Sequence, residues 1–197
     1  GNRTLLHDAT GRYTSVYDDV NRRTEEQSPL SRSVTVSYDK LGQRLVRGVT
    51  GLGLTTYSWD PVQRLQRLQG VHGETTTLSY DAASRRTQIT HGNGVRSSMV
   101  YDASSRMTSV VHQTSLSTTL SYYNYVFDGV SNRTSCVVSG TEVCTWTYDF
   151  IGQLTDDLTG TAGTGSLVFD PAGNRLTQTE PVTLDVTTLT YDSANRL

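Results

Sequence analysis

A large apolar residue, a smaller spacer and an aromatic residue precede each of a series of aspartates. The segments are Val36-Ser37-Tyr38, Tyr57-Ser58-Trp59, Leu78-Ser79-Tyr80, Met99-Val100-Tyr101, Tyr125-Val126-Phe127, Trp146-Thr147-Tyr148, Leu167-Val168-Phe169 and Leu189-Thr190-Tyr191. A period of two places both large residues of each segment on one face of a strand. After each aspartate comes a turn, then a second strand such as Arg44-Leu45-Val46-Arg47. A polar or Gly-bearing reversal closes the unit, at Gly51, at Gly70 to Gly73, or at Gly92-Asn93-Gly94. One unit is therefore two short strands and two turns. The expected fold is all-β, a repeat array of antiparallel β-hairpins forming a curved or spiralling sheet.

The turn that follows the aromatic residue is the organising motif: aromatic, Asp, two or three variable residues, Gly or Asn, then arginine. Its positions are Tyr17 and Asp18; Tyr38, Asp39, Gly42 and Arg44; Trp59, Asp60 and Arg64; Tyr80, Asp81 and Arg85; Tyr101, Asp102 and Arg106; Phe127, Asp128 and Arg133; Tyr148, Asp149 and Gly152; Phe169, Asp170, Gly173 and Arg175; and Tyr191, Asp192 and Arg196. From Asp18 to Asp102 the aspartates recur every 21 residues, as they do from Asp128 to Asp170. The step from Asp102 to Asp128 is 26, and that from Asp170 to Asp192 is 22. A period of this size marks a repeat architecture. The aspartate is expected to accept a hydrogen bond from the backbone N–H two residues on, with Gly or Asn taking the positive φ.

Residues 1–37 are read as irregular first repeats and 38–197 as regular ones, in one continuous repeat domain truncated at both ends. Gly1-Asn2-Arg3-Thr4 looks like the tail of a turn, and Asn195-Arg196-Leu197 follows another. His7-Asp8-Ala9-Thr10-Gly11-Arg12 reads as a turn motif with His in the aromatic place, leaving room for one short strand before Asp18. Glu25 to Pro29 is expected to be an exposed loop, and Thr155 to Ser166 a flexible reversal. Pro61 to Gln69 could open a helix on its proline, but its phase with the neighbouring repeats favours a strand. The longer step before Asp128, containing Ser115 to Thr119, is expected to lengthen one hairpin.

The 197 residues suffice for one domain. Net charge of −2 gives no basic footprint for nucleic acid. Hydrophobic residues make up 35%, low for a globular domain, and charged residues only 18%, too few for a charge-driven disordered chain. Thr and Ser take their place, and Thr suits a pleated, half-buried surface. No apolar run reaches membrane-spanning length.

The array of aromatic-Asp turns resembles the YD repeats of the Rhs family, which includes the shell proteins of bacterial toxin complexes and the related module of the teneurins. The resemblance runs through nearly the whole chain. It implies a non-catalytic structural part of a shell that encloses a C-terminal toxin or effector, in a secreted or cell-surface parent protein. The implied partners are the flanking repeats of the same chain and the enclosed segment. The alternative is an extracellular adhesion module, recognising carbohydrate or protein through its aromatic and arginine stripes. Buried aromatics at Tyr38, Trp59, Tyr80 and Tyr101 would favour the first, and a row of exposed ones the second.

No catalytic, metal or cofactor site is expected. The repeated aspartates are read as turn caps. His7, His72, His91 and His112 fall in different units without ligand spacing. No Gly-x-Ser-x-Gly elbow occurs. Phe169-Asp170-Pro171-Ala172-Gly173 contains the Asp-Pro-x-Gly string of an Rhs self-cleavage segment, but it occupies an ordinary repeat position and is read as a turn. Asn2-Arg3-Thr4 and Asn132-Arg133-Thr134 match the glycosylation sequon and also follow from the repeat's own wording. Cys136 and Cys144 flank a hairpin centred on Gly140. With a three-residue loop they face each other, and a disulfide between them is expected.

Overall fold

Short connections between alternating segments favour pairing of each strand with the next. The computed structural model describes residues 1–140, 142–159, 163–180, 182–192, 194 and 196, and no helix occurs among them. The chain divides into two units, Gly1–Arg96 and Ser97–Leu197. The first contains β1 (Leu5–Asp8), β2 (Gly11–Tyr17), β3 (Arg23–Gln27), β4 (Ser33–Tyr38), β5 (Arg44–Val49), β6 (Gly53–Trp59), β7 (Leu65–Gln69), β8 (Thr75–Tyr80) and β9 (Arg86–His91). Each is antiparallel to its successor, so the unit is an uninterrupted meander.

The division falls at the start of β10 (Arg96–Tyr101). The second unit continues with β11 (Met107–Gln113), β12 (Thr119–Phe127), β13 (Arg133–Val138), β14 (Glu142–Tyr148), β15 (Leu154–Thr159), β16 (Thr164–Phe169), β17 (Arg175–Thr179) and β18 (Val186–Thr188). From β11 onward each again pairs antiparallel with the next. The expected hairpin array is what the chain forms.

Local departures from the sequence reading have physical reasons. Glu25 and Glu26 lie in β3 rather than a loop, because they pair across to Thr35 and Val34. The reversal falls later, where the Ser28 N–H bonds to the Arg32 carbonyl. The reversal expected over Thr155 to Ser166 is mostly strand, since β15 and β16 take residues up to 159 and from 164. β-Branched Thr and alternating Leu supply that preference; the centre of the reversal lies outside the described residues. Leu65–Gln69 is a strand, as its phase indicated. The added residues before Asp128 do lengthen a hairpin: β12 has nine residues and turns back from β11 through Thr114–Thr118. The Asp8 turn is a tighter reversal of another kind, with Asp8 opposite Gly11. It joins β1 to β2, at the opposite end of β2 from the turn at Asp18.

Few of the described residues are buried. Among the described residues the buried hydrophobic side chains are Cys136 and Cys144, 4% and 6% exposed. Cross-strand side-chain pairs, each contributing about 0.2–1 kcal/mol, must therefore carry much of the stability.

Candidate functional site

Each aromatic-Asp turn closes in the same way. Asp39 Oδ1 accepts from the N–H groups of Leu41 at 2.9 Å and Gln43 at 2.8 Å. The same two bonds recur at Asp18, Asp60, Asp81, Asp102, Asp128, Asp149, Asp170 and Asp192. The expected bond two residues on is present, together with a second four residues on that the sequence reading missed. The backbone completes the loop, as where the Asp39 N–H donates to the Gln43 carbonyl at 2.9 Å. The aromatic before the turn pairs with the residue five after the aspartate, for example Tyr38 with Arg44 and Tyr80 with Arg86, across a β-bulge.

The third residue after the aspartate takes positive φ, and it need not be Gly or Asn. Gly42, Gly152 and Gly173 hold it at 84°, 87° and 86°, but Gln63, Ser84, Ser105 and Ser131 hold it at 69°, 63°, 63° and 74°. Capping by the aspartate side chain holds these residues in a left-handed conformation that they ordinarily avoid.

The arginines read as one motif position occupy two. Arg64, Arg85, Arg106 and Arg196 stand four after their aspartate and bond to its carboxylate: Nε to Oδ2 distances are 2.7, 2.7, 2.6 and 2.7 Å. Arg22 does the same at 2.7 Å and belongs with them. Arg44, Arg133 and Arg175 stand five after it, on the first residue of the following strand. At those turns the fourth position is Gln43, Asn132 or Asn174, and at Asp149 it is Gln153. Counting from the aspartate instead of searching for an arginine separates the two sets.

The fourth-position arginine also reaches the next repeat. Nη1 of Arg22 donates to the Asp39 carbonyl at 3.0 Å, Arg64 to Asp81 at 3.1 Å and Arg106 to Asp128 at 2.8 Å. The same guanidinium carbons lie 4.7, 4.6 and 5.0 Å from the ring centroids of Tyr38, Tyr80 and Phe127. One side chain thus caps its own turn, binds the next turn's backbone and covers the next aromatic ring, a cation–π contact.

The aromatic tip makes the return bond. The hydroxyls of Tyr38, Tyr80 and Tyr148 donate to the carbonyls of Arg23, Leu65 and Arg133 at 3.0, 2.8 and 2.8 Å, and Trp59 Nε1 donates to Arg44 at 2.9 Å. Tyr17 reaches the Arg3 carbonyl at 3.0 Å. Phe127 and Phe169 keep the ring without the hydroxyl. Tyr38, Trp59, Tyr80 and Tyr101 are all half-buried, matching neither a buried row nor an exposed one. Arginine covers a face of Tyr38 and Tyr80, which leaves less ring for a sugar to stack on.

The carboxylates of Asp18, Asp60, Asp81, Asp102, Asp128, Asp170 and Asp192 sit below the ordinary aspartate range. For Asp18, Asp60, Asp81 and Asp102 the first cause is the N–H of the fourth-position arginine, reinforced by its side chain and opposed by burial. At Asp170 and Asp192 the side-chain bonds of Asn174 and Arg196 come first. At Asp128 burial pushes upward most strongly of any single effect, yet the combined bonds from Asn132, Val130 and Ser131 outweigh it. These shifts follow from hydrogen bonding to the charged form.

Asp170 caps an ordinary repeat turn through Ala172 and Asn174, with its Oδ2 held by the Asn174 amide at 2.9 Å. Asn132 of the second sequon is likewise engaged, its Nδ2 on Asp128 Oδ2 at 3.0 Å. Cys136 and Cys144 are direct cross-strand partners, as a three-residue loop requires, and the structure carries both as thiols.

Comparison with known proteins agrees with the repeat. Residues 59–97 match the family model described as RHS Repeat. Over 94% of its length the chain is similar to the crystal structure of TcdB2-TccC3-Cdc42, with TM-score 0.71 and 18% identity. Over 96% it is similar to TcdB2-TccC3 without its hypervariable C-terminal region, with TM-score 0.72 and 17% identity. The Tc holotoxin pore of Photorhabdus luminescens matches over 93%, with TM-score 0.50 and 16% identity. The chain spans 12% of each of the first two structures and 14% of the third. No curated protein matches it. The resemblance to Rhs/YD repeats seen in the sequence is borne out.

Proposed function

We propose that this run of Rhs/YD repeats is non-catalytic wall material of a larger β-shell, and that the shell encloses a C-terminal toxin or effector segment of the natural polypeptide. The observation that carries the reading is the arginine clasp, which ties the turns at Asp18, Asp60 and Asp102 to the turns that follow them and so lets the array grow by adding repeats. A meander of such repeats has an unpaired strand at each end, and an exposed edge invites association. Flanking repeats cover those edges, and strand twist accumulates with each addition until a long array can close. Similarity to Tc toxin chains supports this reading. A wall needs no apolar core of its own, which suits a sheet whose described hydrophobic side chains are mostly half-buried or exposed.

The natural protein acts outside the cytoplasm, secreted or on a cell surface. There Cys136 and Cys144 would close into a disulfide, since oxidising compartments retain such bonds. The adhesion reading ranks second, because guanidinium groups occupy ring faces that a sugar would need. The test is proteolysis of the natural polypeptide, repeats and following segment together. The segment survives protease in that context and is digested as a free peptide. Digestion at the same rate in both contexts, with the repeats intact, contradicts enclosure and favours adhesion.

A further inference from the structure

The turn at Asp128 lacks the arginine, and a groove lies where the guanidinium would sit. At the preceding turn Arg106 stacks on Phe127 and donates to the carbonyl of Asp128. Asn132 aims the same way: its Oδ1 is 3.9 Å from where a Cβ on Gly152 would stand, much as Arg22 Nη1 is 3.6 Å from the equivalent point on Gly42. The asparagine is too short to go further, and its amide stays on Asp128. Between this turn and the next runs an open groove of about 680 Å³, lined by Val130, Asn132, Trp146, Tyr148, Phe150 and Asp149 among others.

The groove has the chemistry of the missing side chain. Its platform is the Tyr148 ring, half-buried with its hydroxyl committed to Arg133. Arg133 itself lies over Tyr125 at 4.3 Å and Trp146 at 5.8 Å, so Tyr148 is the ring left to take a second cation. The Asp149 carbonyl accepts from the Gly152 N–H at 3.1 Å, where its counterpart in the arginine-bearing repeat, Asp81, accepts from both Ser84 and Arg64. Asp149 Oδ1 caps its turn, and the carboxylate adds negative charge at the rim. Phe150, 99% exposed, and Ile151 provide apolar sides for an alkyl stem.

We propose that this groove binds an arginine side chain of another polypeptide segment, seated as Arg64 is seated on Tyr80. The guanidinium stacks flat on Tyr148 and donates to the Asp149 carbonyl, a geometry that a compact ammonium does not reproduce. This goes beyond the shell reading and does not depend on it.

The test is a nuclear magnetic resonance titration of the 197-residue chain with a Gly/Ser nonapeptide carrying one central arginine. The Kd expected for so small a contact is weak, on the order of a millimolar or above. Saturable shifts are expected at the Asn132, Tyr148, Ile151 and Gly152 amides and the Trp146 indole. The citrulline peptide, isosteric and uncharged, is expected to bind at least tenfold more weakly, and the lysine peptide at an intermediate level. Asn132→Arg supplies the guanidinium from within the chain and is expected to weaken peptide binding at least tenfold without lowering Tm. Should Asn132→Arg fail to fold, the citrulline comparison decides alone. Citrulline binding within twofold of arginine, unchanged binding by folded Asn132→Arg, shifts centred elsewhere, or no saturable shift would each overturn the proposal.

Discussion

Nη1 of Arg64 lies 3.1 Å from the carbonyl oxygen of Asp81, one repeat ahead, while its Nε is held 2.7 Å from the carboxylate of Asp60. A residue that closes one turn thereby positions the next. The side chain keeps 26% of its exposure, so the carboxylate pairing alone would be worth little. Its fixed place over Tyr80 and its backbone bond give it greater effect than a surface ion pair has.

Arg64 and Tyr80 are therefore expected to be energetically coupled. A double-mutant cycle of Arg64→Gln and Tyr80→Leu should give about 0.5–1 kcal/mol of interaction from urea unfolding. Additive effects within experimental error would place the stability elsewhere.

The positive-φ position yields a second expectation. Gln63→Gly removes about 1–2 kcal/mol of left-handed strain and costs about 0.4–1 kcal/mol through added freedom of the unfolded chain. Its net effect should be a stabilisation of roughly 0.5 kcal/mol. Gly173→Ala should destabilise by about 1 kcal/mol, since φ is 86° there and a new Cβ would stand 3.2 Å from Gln153 Nε2. Equal and opposite results in a thermal unfolding comparison would mean that the turn does not hold these angles in solution.

The extent to which the sequence disclosed this depends on the interaction. Strand alternation and the 21-residue aspartate spacing are local signals, and they located the hairpins and turns. The two roles of arginine were hidden because Arg44 and Arg64 both follow an Asp turn, and a one-residue offset decides whether the side chain faces the carboxylate. Ser84 and Gln63 in positive φ could not be read from residue type, because the capping aspartate imposes the angle. The groove beside Asn132 appears only once Arg22, Arg64 and Arg106 show what belongs there.

Acid should loosen the array. The folded-state pKa values of Asp18, Asp60, Asp81, Asp102, Asp128, Asp170 and Asp192 lie below the ordinary value. Groups shifted downward add stability above the unfolded-state value of about 3.9 and lose it as pH falls through the folded-state values. Tm should be steady near neutrality and drop below about pH 4, with a smaller drop for Asp81→Asn. A Tm that rises on acidification would contradict the capping role.

Cys136 and Cys144, opposite each other in register, should close when the reduced protein is treated with an oxidised small-molecule disulfide such as oxidised glutathione. One protein disulfide forms as the reagent is reduced to two thiols. Thiol titration under denaturing conditions should then find no protein thiol, and mass should fall by two hydrogens. Two thiols persisting after prolonged treatment would rule the bridge out.

The most direct measurement is electron cryomicroscopy of the natural polypeptide that carries these repeats, with its C-terminal segment present. A closed hollow β-shell with additional density inside is expected, and deletion of the segment should empty it. An open ribbon, or a closed body with the segment wholly outside, would contradict the proposal that these clasped repeats form an enclosing wall.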